Sequence, residues 1–88
     1  MKLMKHVKVK NQLGLHTRPA TLIVKLLQNS KCDVLFTHRR ETVNAKSILS
    51  ILMLAACKNS KITITADGED AEKTVEQLVE AFENQFGE

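Results

Sequence analysis

Hydrophobic and polar positions change period several times along this chain, and each change marks an element. Leu3, Val7 and Val9 alternate with Met4, His6, Lys8 and Lys10, a period of two that predicts a half-buried first strand, with Lys5 the one interruption. Asn11, Gln12, Leu13 and Gly14 then read as a loop. From His16 the period lengthens: Ala20, Ile23, Val24 and Leu27 recur at i, i+3, i+4 and i+7, the apolar stripe of a helix ending near Asn29 and Ser30. With His16 as the cap, Pro19 falls in the first turn, where backbone N–H groups have no intrahelical acceptor to lose.

Cys32, Val34 and Phe36 alternate with Asp33, Leu35 and Thr37, and Thr42, Val43 and Asn44 offer a return strand after a short polar connection. The pair reads as a hairpin. Its turn, near Arg39 and Arg40, lacks the Asn-Gly or Gly expected of a tight connection, so the turn type stays open. Ser47 opens a short apolar helix running to about Leu54. Ile62, Ile64 and Ala66 form a fourth strand that stops at Asp67 and Gly68. Asp70 then caps a last helix with Ala71, Val75, Leu78, Val79, Phe82 and Phe86 on one face. The order is β-α-β-β-α-β-α. Each helix needs an apolar surface to cover and each strand offers one face, which predicts a two-layer α+β sandwich.

Eighty-eight residues allow one hydrophobic core, so residues 1–88 form a single domain with no room for a large substrate-enclosing pocket. The only aromatic residues are Phe36, Phe82 and Phe86, which removes the stacking platforms of single-stranded nucleic-acid binders. The net charge of +3 is spread along the chain and suits acidic protein surfaces better than a nucleic-acid groove, so no nucleic-acid partner is expected. Cys32 and Cys57 are far apart and without a ligand pattern, which predicts two reduced, mostly buried thiols and no metal site. Lysines interrupt every apolar run of the first ten residues, so these do not form a signal peptide, and no segment is long enough to span a membrane. A cytoplasmic address follows by default.

The stretch Leu13-Gly14-Leu15-His16-Thr17-Arg18-Pro19-Ala20 places an imidazole where a loop becomes a helix. Phosphate chemistry favours that place. The N–H groups of Thr17 and Arg18 and the positive end of the helix dipole can receive anionic oxygens, while Gly14 permits a loop conformation that keeps the ring accessible. Arg18 supplies a cation two residues on. Imidazole is a competent nucleophile near neutral pH, and its phosphoramidate is reactive enough to be passed onward. Taken alone, His16 also reads as a cap or a solvated side chain, and Arg18 as a charge on a solvated helix face.

The run Gly14 to Ala20 resembles the signature of the HPr family, the histidine phosphocarriers of the phosphoenolpyruvate-dependent phosphotransferase system. The resemblance extends over essentially the whole chain, including Val43-Asn44-Ala45-Lys46-Ser47-Ile48 and Ile62-Thr63-Ile64-Thr65-Ala66-Asp67-Gly68-Glu69-Asp70. It implies an open-faced sandwich, a four-stranded antiparallel sheet covered on one face by three helices. It further implies that His16 is phosphorylated on Nδ1 by enzyme I and read by enzyme IIA-type acceptors, and that Arg18 helps hold the phosphoryl group. The retained histidine separates this chain from regulatory paralogues that carry glutamine. His6 and His38 match no family site and are expected to be solvated. The expected protein is a monomeric carrier that needs no cofactor and is a substrate of phosphotransferases rather than an enzyme.

Ser47 stands where an N-cap is needed. In the family this position is phosphorylated in some bacteria by a dedicated serine kinase, and a phosphate there would alter the charge offered to partners. From Ile48 to Cys57 the only polar residue is Ser50, more apolar than one buried face requires. Ile51, Leu54 and Ala56 are expected to point inward, leaving Ile48, Leu49 and Leu52 as a docking patch beside the His16 loop. Two departures from the family pattern stand out. Ala55 occupies a position where glycine is common, and Leu49 and Leu52 replace methionines typical of members regulated through serine.

Other classes fit less well. A nucleic-acid module would need a basic stripe or an aromatic face, and a hydrolase using His16 would need a second acid or base and a pocket. An HPr-like member of a nitrogen-type or purely regulatory relay remains compatible with every residue.

Overall fold

The computed structural model describes residues 1–88 and follows the expected element order. The strands are β1 (Lys2–Lys8), β2 (Asp33–His38), β3 (Glu41–Asn44) and β4 (Lys61–Asp67). The helices are α1 (Thr17–Leu27), α2 (Ile48–Met53) and α3 (Ala71–Glu83), followed by a 3-10 turn at Gln85–Gly87. The four strands form one antiparallel sheet in the order β1-β4-β2-β3. Alternation sets its faces. Val7, Val34, Phe36, Ile62, Ile64 and Ala66 are buried under the helices, while Met4, His6 and Leu35 lie on the open side.

The apolar stripe of α1 buries Ala20, Ile23 and Leu27, with Val24 half-buried at its margin. Ala71, Thr74, Val75, Leu78 and Phe82 of α3 cover the sheet from the other side of the same layer. Phe36 of the sheet meets Phe82 edge-on at 5.8 Å, and Phe82 meets Phe86 at 4.9 Å. Such pairs add about 0.5–1.5 kcal/mol beyond burial, and truncating Phe82 to alanine would cost about 3–5 kcal/mol.

Several local expectations are corrected. Phe86 does not continue the face of α3, because the helix ends at Glu83 and the chain passes through left-handed conformations at Gln85 (φ 57°) and Phe86 (φ 54°). The ring is buried all the same, from a turn rather than a helix. Asp70 sits at the N-cap position of α3 without a capping bond; its carboxylate instead accepts from the backbone N–H groups of Lys31 (2.9 Å) and Cys32 (3.1 Å). Cys32 is buried but Cys57 is exposed, because it lies in the loop after α2 rather than on a strand. His6 is exposed, whereas His38 is half-buried with Nδ1 3.2 Å from the Leu54 carbonyl.

Val9 and Lys10 lie past the end of β1, yet Val9 is fully buried and tied by its backbone to Asn59 and Ser60. The hairpin turn is also narrowed down. His38 pairs with Glu41, leaving Arg39 and Arg40 as a two-residue loop in which only Arg39 has a positive φ, 57°. A type I′ turn, which needs two such residues, is therefore excluded.

Candidate functional site

Gly14 brings the loop before α1 against the loop after α2. It has φ of 69°, and a Cβ there would lie 2.2 Å from the Ala56 carbonyl oxygen, so only glycine allows this approach. The Leu15 N–H donates to that same oxygen at 3.0 Å. Leu15 is buried, and the next residue, His16, takes extended backbone (φ −80°, ψ −169°) at the N-cap of α1. Its side chain makes no capping bond, so the ring is free for other work.

The first helical bond runs from the Ala20 N–H to the His16 carbonyl at 3.0 Å. Ahead of it the N–H groups of Thr17 and Arg18 have no acceptor in the chain, and Pro19 has no N–H at all. Two amide donors thus sit at the positive end of the helix dipole beside the imidazole. Arg18 extends outward with 75% of its side chain exposed, reaching no nearer than 4.0 Å (Nη1) to the Glu88 carboxylate. The helix brings His16, Thr17 and Arg18 together as expected.

The structure adds two residues that the sequence reading missed. Nε2 of His16 lies 3.1 Å and 2.9 Å from the two carboxylate oxygens of Glu88, while Nδ1 makes no hydrogen bond within the chain. Asn11 is buried and its amide donates to both the Gln85 carbonyl (2.8 Å) and Glu88 Oε1 (2.6 Å). The Asn11 amide, with the His16 ring and then the Arg18 guanidinium, holds the Glu88 carboxyl below its ordinary value, against partial burial that works the other way. No local pattern marks these residues; position 88 meets position 16 only through the turn after α3.

Ser47 caps α2, its hydroxyl accepting from the Ser50 N–H at 3.2 Å. Ile51, Leu54 and Ala56 point inward as expected. The outer surface of α2 differs from the expectation at one position. Ile48 and Leu49 are exposed, but Leu52 is half-buried against the core and Met53, 66% exposed, stands outside instead. A six-residue helix turns 100° per residue, so the position following Leu52 swings out while Leu52 itself flanks the buried Ile51. No group of three or more His, Cys, Asp or Glu side chains is arranged to hold a metal ion, and no helix is long and apolar enough to cross a membrane.

Fold and site define a small open-faced α+β protein built around a histidine at a helix N-terminus. The family model described as the PTS HPr component phosphorylation site matches residues 3–84. The phosphocarrier protein HPr of Chlamydia pneumoniae is 45% identical over 80 residues, covering 91% of this chain and 74% of that protein. Among solved structures, HPr-C-His from Thermoanaerobacter tengcongensis superposes with a TM-score of 0.93 at 32% identity, covering 98% of this chain and 97% of that one. The phosphocarrier HPr of Bacillus anthracis gives 0.87 at 40% identity, covering 92% and 96%. The chain belongs to the HPr family, the phosphocarriers of the phosphotransferase system.

Proposed function

We propose that this phosphocarrier accepts a phosphoryl group from phospho-enzyme I on His16 and donates it to an enzyme IIA-type protein. The observation that carries the reading is the imidazole at the start of α1, with Nδ1 unengaged beside two amide donors that have no partner. The lone pair of Nδ1 attacks phosphorus while the donor's bond to phosphorus breaks and the donor atom departs with its electron pair. The Thr17 and Arg18 amides and the Arg18 guanidinium receive the phosphoryl oxygens. Each step needs only this chain and a partner protein, so the molecule acts as a substrate of phosphotransferases without a cofactor. The carrier is expected to work as a monomer, with both partners in the cytoplasm.

Docking falls to the exposed side of α2, where Ile48, Leu49 and Met53 are uncovered and Leu52 contributes its half-buried edge. Such an apolar surface on a small protein fits a transient partner. Leu49→Asp places a charge that resists desolvation there, and transfer at limiting enzyme I should weaken while the fold persists. Unchanged kinetics would remove the patch from the contact.

The central experiment is incubation with enzyme I and labelled phosphoenolpyruvate, followed by mass mapping. Label should enter at His16 and be released in mild acid, as a phosphoramidate is. Acid-stable label, or label retained by His16→Ala, would overturn the assignment.

A further inference from the structure

A carboxylate on the ring nitrogen that does not react sets the tautomer and orientation of a histidine, and here that carboxylate is itself held by further bonds. Glu88 reaches Nε2 of His16 with both oxygens. One of those oxygens also accepts from Asn11, a side chain only 1% exposed. The second N–H of the same amide holds the Gln85 carbonyl, so Asn11 fixes both ends of the segment that delivers Glu88.

Two features show that this arrangement is maintained at a cost. Gln85 and Phe86 are non-glycine residues in left-handed conformations, each unfavourable by about 1–2 kcal/mol. The Oδ1 atom of Asn11 is buried without a partner. Opposing these costs are the burial of Phe86 against Phe82 and the two Asn11 bonds. The conformation is thus determined by packing on one side and by Asn11 on the other, and both constraints bring the carboxylate to the ring.

We infer that Glu88, seated by Asn11, is a positioning residue for phosphoryl acceptance, its carboxylate accepting the Nε2–H of His16 so that the lone pair lies on Nδ1. This rests on the reading of His16 as the acceptor. A neutral imidazole exists as two tautomers, and only the one protonated on Nε2 offers Nδ1 as nucleophile. Bonding to Glu88 selects that tautomer and sets the ring plane. As the N–P bond forms, the donor retains the electrons of its own broken bond, Nε2 keeps its proton, and the ring becomes cationic. The carboxylate opposes that new charge without accepting the proton. When the phosphoryl group leaves, the ring returns to the same neutral tautomer.

The test compares the parent with Glu88→Ala, Glu88→Gln, Asn11→Ala and the Asn11→Ala/Glu88→Ala double variant, with His16→Ala as control. Single-turnover acceptance from phospho-enzyme I and the ¹⁵N and ¹H resonances of the His16 ring are measured on each folded protein. In the parent the ring should carry its proton on Nε2, seen as a low-field, slowly exchanging signal. Glu88→Ala should lose that signal and accept phosphoryl about three- to tenfold more slowly, the scale of a partly exposed charged hydrogen bond. Glu88→Gln should keep the proton on Nε2, because its amide oxygen still accepts, while recovering only part of the rate.

Asn11→Ala should slow acceptance too, and the double variant should be no slower than Glu88→Ala, the signature of one residue acting through the other. Parental or faster transfer in Glu88→Ala with an unchanged ring signal would overturn the inference, as would losses that add in the double variant. Label persisting in His16→Ala would instead overturn the acceptor reading and this inference with it.

Discussion

Arg18 extends into solvent at the start of α1, as its proposed contact with a phosphoryl group requires. Its side chain is mostly exposed and lies off the buried stripe of Ala20, Ile23 and Leu27. Arg18→Ala should therefore leave the thermal midpoint unchanged while slowing transfer roughly ten- to a thousandfold, equivalent to about 1.4 to 4 kcal/mol of lost transition-state stabilisation. Arg18→Lys should recover part of that, since Lys keeps the charge but not the planar fork that binds two oxygens. Single-turnover rates with parallel melting curves check both, and a parental rate in Arg18→Ala would remove the residue from the mechanism. The placement of His16 and Arg18 side by side was legible in the sequence because their relation is local: two positions apart at a helix start. Glu88 was not, because its contact with His16 spans 72 positions and depends on a turn without a proline or glycine before Gly87. Cys57 was misplaced for a related reason. Buried cysteines are common, and only the loop's position against Gly14 shows that this thiol faces out.

At the level of elements, periodicity located every strand and helix, while their ends were set by backbone chemistry that periodicity does not encode. Phe86 follows Phe82 by four, so it continues the stripe of α3 on paper, but the helix has already ended. The end of α2 carries a signal that the sequence did show. Ala55, where glycine is common in the family, adopts φ of 52°, a left-handed conformation strained for a residue with a Cβ. Ala55→Gly should relieve that strain and stabilise the protein by about 0.5–1 kcal/mol after the greater freedom of glycine in the unfolded chain is counted. Urea denaturation measures this, and a loss of stability would show that the turn is not strained.

In the whole molecule, β4 lies between β1 and β2, so the sheet closes only when strands from the first and last thirds of the chain pair. Asp70 adds a polar tie across the same junction. It accepts from Lys31 and Cys32 at the start of β2 and from the Ser30 hydroxyl at 3.3 Å. The backbone bond from Lys31 first, with the Cys32 and Ser30 bonds, lowers its folded-state pKa below the ordinary 3.8, despite partial burial acting in the opposite direction. A depressed carboxyl stabilises the fold fully above its unfolded pKa and loses that contribution as pH falls through the folded value. The gap in thermal midpoint between the parent and Asp70→Asn should therefore stay constant well above pH 3.8 and close on acidification below it. Glu88 titrates low in both proteins and cancels from the difference. A gap independent of pH would show that the Asp70 charge contributes nothing.

Pro19 removes one amide from the first turn of α1, leaving two. A phosphoryl group has three peripheral oxygens, so the two amides of this helix end cannot satisfy all of them, and a third contact must come from the exposed Arg18, from water or from a partner. Each such bond at a wet surface contributes only about 0.5–1.5 kcal/mol, or about 1.5–3 where charge is involved. The group is therefore gripped too weakly for its reactivity to be spent in binding. A tighter cradle would turn a relay into a sink: if His16 carries the phosphoryl group as proposed, the incompleteness of the site favours surrender to the next protein over retention.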